Sequence, residues 1–160
     1  MRCTLGLVLT CALAGAGVSK AALAEDLPPL VNVLHMPPGM TPTRVPKGQF
    51  HSALGFFPKH AAICGESGRL MVELTIGTDG SVSNVQLITS SGFADLDIDG
   101  MAAVGTWRYE PATRDGVPVA VREQAIVQYS TTGHVSGTAD CTPEGTKAAA
   151  DALLAALRGG

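Results

Sequence analysis

Leu70, Val72, Leu74 and Ile76 sit two residues apart in the stretch GRLMVELTIGTDGSV, and the alternation ends at Asp79-Gly80. Successive side chains of an extended strand point to opposite faces, so this spacing describes a strand with one dry face and one wet face. Asp-Gly is a strong short hairpin signal, because both residues tolerate the positive φ that a tight turn demands. The return stretch SVSNVQLITSS places Val82 on one parity and Val85 and Leu87 on the other. All three can be buried only if the strand carries a bulge near Ser83 and Asn84.

The period then changes. In FADLDIDGMAAVGTW, residues Phe93, Leu96, Gly100, Val104 and Trp107 recur at steps of three or four, one face of a helix that Ser91 or Asp95 can cap. Gly100 and Gly105 each cost about 1 kcal/mol relative to alanine, so this helix depends on packing more than on propensity. After the turn cluster RDGVP, the stretch VAVREQAIVQYS reads as a further strand. Val119, Val121, Glu123, Ala125, Val127 and Tyr129 share one face, and Arg122, Gln124, Ile126 and Gln128 the other. Its charged and amide residues describe a strand with one flank in water, the usual protection of a sheet edge. Upstream, FPKHAAICGESG reads as a short helix with Pro58 at its first position and Gly65 and Gly68 at its end. The tail TKAAADALLAALRGG reads as an amphipathic helix with Thr146 as cap and Ala150, Leu153, Leu154 and Leu157 as its stripe.

At 160 residues the chain is one domain with appendages. Residues 1–24 have the form of a secretory leader: Arg2, an apolar run from Leu5 to Val18, and ALA at Ala22 to Ala24. Cleavage would place the remainder in the periplasm, whereas retention would anchor it in the inner membrane. Residues 25–50 hold Pro28, Pro29, Pro37, Pro38, Pro42 and Pro46 and read as a linker leaning toward polyproline II, in which LVNVLH could add a short edge strand. The domain proper is expected over 51–132 and the tail over 133–160. Without the leader, nine basic residues face fourteen acidic ones, a balance that argues against nucleic acid or an anionic membrane as partner.

Cys64 and Cys141 are then the remaining cysteines, and in an oxidising compartment an even pair is by default a disulfide. Closing so long a loop contributes about 4 kcal/mol in the chain-entropy picture. A metal site built from the two thiolates with His60 and His134 is the sharper alternative, but the spacings match no compact binding pattern. Ser90 and Ser91 have no histidine in a recognisable relation to them, and no nucleophile–base pair can be assembled, so neither an enzyme nor a small-molecule substrate is indicated. Nor does the chain point to a cofactor. Asp95, Asp97 and Asp99 lack the loop and terminal glutamate of a calcium site; as i and i+2 neighbours they point apart on a helix and complement its N-terminus.

Taken in order, the landmarks are Phe57-Pro58 opening a helix, G-x-L-x-V-x-L-x-I-x-x-D-G from Gly68 to Gly80, Ser90-Ser91-Gly92, Leu96-Asp97, and WRYEPA from Trp107 to Ala112, then Asp115-Gly116. With this order the sequence resembles the C-terminal domain of the TonB energy-transducer family over about residues 56–130. The resemblance implies an α+β fold: a three-stranded antiparallel sheet with two helices on one face, here followed by a helical tail. Within it Pro58, Gly80, Leu96, Asp97, Trp107, Arg108, Tyr109 and Pro111 are structural, with WRYEP a helix-to-strand corner. Asp99 and Gly100 depart from the family pattern, which has small helix-forming residues there. The resemblance also implies that the open flank of the last strand, residues 118–129, takes an extended segment from an outer-membrane transporter or another envelope protein. Pairing with a second copy is the alternative, and in that scheme the tail helix covers the edge.

Overall fold

The computed structural model of the protein describes residues 27–32, 35–51, 57–131 and 135–159; the leader and His134 lie outside them. In chain order the elements are β1 (Met40–Thr41), α1 (Lys59–Cys64), β2 (Gly68–Ile76), β3 (Val82–Thr89), α2 (Ala94–Gly105), β4 (Thr113–Arg114), β5 (Val117–Pro118), β6 (Val121–Tyr129) and α3 (Pro143–Gly159). The main sheet has the order β3-β2-β6 and is antiparallel throughout, with β2 in the middle. A second, small sheet has the order β1-β4-β5.

The alternation in β2 does what its period dictates. Leu70, Val72, Leu74 and Ile76 are fully buried and form one cluster with Leu96 and Val104 of α2, Val121, Val127 and Tyr129 of β6, and Ala61 of α1. Burying a side chain of this size contributes about 1.5–3 kcal/mol, so this one strand supplies a large part of the apolar stabilisation. Gly100 is explained by the same contact. A Cβ there would lie 2.9 Å from both methyl carbons of Leu70, so glycine lets α2 sit close on β2.

The expected bulge is present. The β2–β3 register shifts between Glu73 and Thr75, opposite Asn84, whose φ is 49°, and a second shift follows Met71. Val82 and Val85 pack on the core, but Leu87, expected inside, is exposed. The second irregularity moves this end of β3 away from simple alternation.

The chain between α2 and β4 is more than a corner. Tyr109 donates its backbone N–H to Gly80 O at 2.9 Å, Arg108 bridges Ser81 of the hairpin turn, and Glu110 bridges Arg44 on the other side. The stretch is thus clamped between the β2–β3 turn and the N-terminal segment. Trp107 is half-buried, and its ring stacks on His51 at 4.5 Å with 6° between the planes, while His51 Nε2 lies 2.9 Å from Arg108 O. Gly80 itself has φ 77°, and a Cβ on it would lie 1.8 Å from Tyr109 O.

Helix caps differ from expectation. Pro58 precedes α1 instead of opening it, and Gly65 closes that helix in the left-handed conformation. Neither Ser91 nor Asp95 caps α2, whose first residue follows Phe93 without a side-chain cap. For α3 the cap is Thr142, which accepts from Gly145 N at 3.2 Å through its hydroxyl and from Thr146 N at 3.0 Å through its carbonyl. Thr146 lies inside the helix and donates to Glu66 Oε1 at 2.9 Å.

Each of the three aspartates of α2 is buried and engages a different element. Asp97 accepts from Ser91 N at 2.7 Å and from Ser90 Oγ, which fixes the entry to the helix. Asp99 accepts from Tyr129 Oη at 2.6 Å and so ties α2 to the end of β6. Burial pushes the Asp99 carboxyl up, partly offset by that bond, and burial followed by the Asp99 contact pushes the Tyr129 phenol up as well. Asp95 reaches α1, with His60 Nδ1 3.1 Å from its Oδ2. Asp95 and Asp97 lie in the first turn of α2, as expected of carboxylates that complement a helix N-terminus, and all three also make specific pairings; Asp99 lies beyond that turn.

His60 also joins the tail to the domain. Its Nε2 lies 2.9 Å from Asp140 O, so both ring nitrogens face oxygen acceptors, and both can donate only in the imidazolium. The Asp140 carbonyl, more than the Asp95 carboxylate, holds the His60 pKa above its ordinary value. Beside it Cys64 and Cys141 are bonded, their Cα atoms 5.5 Å apart across 77 residues of sequence. His60, Cys64 and Glu66 come within 4.8 Å of one another, but the Cys64 sulfur is committed to the disulfide. Glu66 is buried, its Oε2 has no hydrogen-bond partner among the described residues, and desolvation raises its pKa.

Two expected outcomes follow from these contacts. Gly80→Ala should lower the unfolding free energy by about 2 kcal/mol or more, from positive φ and from collision with Tyr109, as read by urea titration. A variant within about 0.5 kcal/mol of the parent would contradict the clamp. The second concerns pH. His60 has a folded pKa above its unfolded one, so its stabilisation is full below about 6.5 and is lost as pH rises through the folded value. Glu66 and Asp99, also raised, favour the folded state in the same direction, at lower pH. Unfolding free energy should therefore fall as pH rises above about 6.5 through the raised folded pKa of His60, and fall less in His60→Ala; an equal slope in both proteins would refute the assignment.

Candidate protein-binding edge

β6 pairs with β2 from Gly68↔Tyr129 to Ile76↔Val121 without a register shift. This continuity distinguishes it from β3, which shifts twice against the same neighbour. Both strands flank the sheet, but only β6 offers a regular row of backbone groups, since a bulged edge aims its donors and acceptors irregularly.

The two faces of β6 match the sequence reading. Val121, Val127 and Tyr129 are buried, Ala125 packs at the margin of the core, and Glu123 is half-buried. On the other face Arg122 is half-buried, Gln124 and Gln128 are polar, and Ile126 is exposed. Val119 does not belong to the strand. Its N–H donates to Ala112 O at 2.9 Å, so it closes the turn before β6, and the paired strand begins at Val121 instead of near 118.

Backbone polarity alternates along an antiparallel strand, and Arg122 reveals its phase. Its N–H donates to Pro29 O at 2.8 Å, and its carbonyl accepts from Val31 N at 2.9 Å, both away from β2. The even residues therefore aim their N–H and C=O groups at the outer flank. At Gln124, Ile126 and Gln128, among the described residues, those groups meet no backbone partner. Among the described residues, the outer flank is thus filled at Arg122 and has no backbone partner at Gln124, Ile126 or Gln128.

What fills it is part of the Pro-rich stretch. Leu30 forms a parallel bridge to Arg122, the one-residue remnant of the strand suggested for LVNVLH. Arg122 Nε donates to Pro28 O at 2.7 Å while its Nη1 pairs with Glu73 at 2.7 Å, and Val31 is 9 % exposed at the rim of the core. Farther along, β1 pairs with β4, and Thr43 donates to Glu123 Oε1 at 2.6 Å. The described part of residues 27–51 is therefore laid along the domain. Beyond Val31 a groove of roughly 340 Å³ separates this segment from Gln124, Ile126 and Met71.

The electrostatic surroundings of the strand are mild. Tyr109 is pushed up to about 12, first by burial and then by the Glu123 carboxylate, so it stays a neutral phenol. The tail helix, expected as a cover for the edge in the self-pairing scheme, packs instead on α2 and α1. Its Ala150 is buried, whereas Leu157 at the far end of the stripe is 52 % exposed.

The remaining motif residues lie away from the edge. Leu96 is in the core, Asp97 holds Ser90 and Ser91, and Pro111 precedes the fully buried Ala112. Arg108 donates to its own neighbour, Trp107 O, at 2.9 Å. Sequence reasoning missed His51 and Thr43, and it offered LVNVLH as an edge strand without placing it against Arg122. None carries a periodic signal, because each acts through a partner distant in the chain.

A solution NMR structure of the Pseudomonas aeruginosa TonB CTD aligns with a TM-score of 0.43 and 23% identity, covering 62% of this chain and 93% of that one. Protein TonB of Vibrio cholerae serotype O1 (strain ATCC 39315 / El Tor Inaba N16961) is 32% identical over 77 residues, which is 48% of this chain and 32% of that protein. The match thus spans about a third of that relative's length. The family model described as Gram-negative bacterial TonB protein C-terminal matches residues 55–131, the region from just before α1 to the end of β6. Over residues 55–131 the chain is therefore similar to the TonB C-terminal domain family.

Proposed function

We propose that this domain is a protein-binding module of the cell envelope in TonB-dependent transport, and that it captures an extended segment of an outer-membrane transporter on the outer flank of β6. The observation that carries this reading is the row of outward backbone groups at Gln124, Ile126 and Gln128, in a strand of unbroken register. An added strand would satisfy those groups with main-chain hydrogen bonds, and its alternate side chains would meet Ile126 and the amides beside it. Each such bond contributes about 0.5–1.5 kcal/mol net, which suits an interaction that forms and releases repeatedly. The chemistry of the described residues is consistent with a binding role: Asp95, Asp97 and Asp99 hold elements together, and Cys64 and Cys141 are joined. Among the described residues no helix is long and apolar enough to cross a membrane.

Proline at position 126 provides the test. Ile126 is 54 % exposed and its N–H faces outward, so Ile126→Pro deletes one docking donor on an edge, where proline is tolerated. Binding of a synthetic peptide carrying the box segment of a transporter should weaken by about tenfold or more in calorimetry, with circular dichroism and the unfolding midpoint nearly unchanged. Undiminished affinity in a folded variant would exclude strand addition at β6. Appearance of a concentration-dependent dimer that the same variant abolishes would instead assign the edge to a second copy.

A further inference from the structure

The first outward position of β6 is already taken, by the chain itself, and the manner of its occupation is specific. Four interactions meet at Arg122: its N–H on Pro29 O, its carbonyl under Val31 N, its Nε on Pro28 O, and its Nη1 on Glu73 of the central strand. The Glu73 carboxylate orients the guanidinium so that the free Nε edge faces the incoming carbonyl. Val31 then turns its side chain into the rim of the core. Backbone pairing, a charge-assisted bond and an apolar anchor are the three contributions expected of a bound strand. Here they are made in cis, by a segment tethered to the domain through residues that also dock on it.

We propose that Pro28–Val31 is a resident competitor for the docking edge, retained by Arg122, and that a partner segment gains the full length of β6 only when this stretch leaves. The inference rests on the reading of β6 as a capture edge and adds its regulation. The resident covers Arg122, and a groove lined by Leu30, Val31 and Asn32 on one side and by Gln124 and Ile126 on the other lies beside it. A partner can therefore pair first at Gln124, Ile126 and Gln128 and then extend toward Arg122 as the resident peels away. Occupation in cis lowers the apparent affinity of the edge by the fraction of molecules in which the edge is clear. Whatever pulls on or binds the N-terminal segment would raise the affinity at β6 without touching that strand.

Val31→Pro tests this in the full chain. It deletes the N–H that bonds Arg122 O and leaves every residue of β6 in place. Amide hydrogen exchange should show Arg122 losing protection while the inward amides of Val121 and Val127 keep theirs. The transporter-segment peptide should then bind at least about fivefold more tightly than to the unsubstituted chain, the factor set by the cleared fraction. Equal affinity in the two proteins with Arg122 deprotected would overturn the competition. So would an Arg122 amide still protected in Val31→Pro, since the segment would not be what shields it. No binding to either protein would overturn the capture reading itself, and the competition with it.

Discussion

The pairing of β2 on both flanks is the constraint from which the other features follow. It is the central strand of the main sheet, its buried face presents Leu70, Val72, Leu74 and Ile76, α2 packs against that face, and β6 pairs along its flank. A small domain has little apolar surface to spare, so one strand that fills the middle of the sheet and the middle of the core fixes where everything else can lie. Gly100 shows how tightly this is set. The closest approach of α2 to β2 leaves no room for a single methyl group, and the helix accepts a poor helix former there in exchange for contact with Leu70.

Around that centre the domain is tied together by buried carboxylates. Asp95, Asp97 and Asp99 project in different directions from one helix and meet α1, the entry loop and β6 in turn. Buried charges are tolerated only when they are paired or hydrogen-bonded. The consequence is that α2 is held in one orientation by polar contacts while its apolar face supplies the packing. Among the described residues Glu66 is the exception, with one oxygen lacking a hydrogen-bond partner. Its burial, together with the doubly engaged His60, places two groups with raised pKa at the junction of domain and tail.

The asymmetry of the sheet's two edges links the fold to the binding reading. β3 is interrupted by bulges, β6 is regular, and among the described residues the N-terminal segment pairs with the regular edge at Arg122. Exposed regular edges invite unwanted pairing, and proteins commonly blunt them. Partial cover by a displaceable stretch of the same chain protects such an edge while leaving it usable. Arg122 is central to this arrangement, since it belongs to the edge, binds the cover and is braced by the central strand.

Much of this architecture was legible before any coordinates. The period-two run of β2, the Asp79-Gly80 turn, the bulge near Asn84, the period of α2 and the alternation of β6 all report local geometry, which neighbouring residues encode directly. The pairing of Cys64 with Cys141 followed from counting cysteines in an oxidising context. What the sequence could not disclose were contacts between residues far apart in the chain: His51 on Trp107, Asp99 on Tyr129, His60 on Asp140, and Pro29 and Val31 on Arg122. Strand and helix periods say which face of an element is dry. They do not say which polar atom on a distant segment will complete a buried carboxylate, nor which end of an open edge the chain will lay itself against. Those choices depend on distances that exist only once the core has closed, and so the tertiary structure alone decided them.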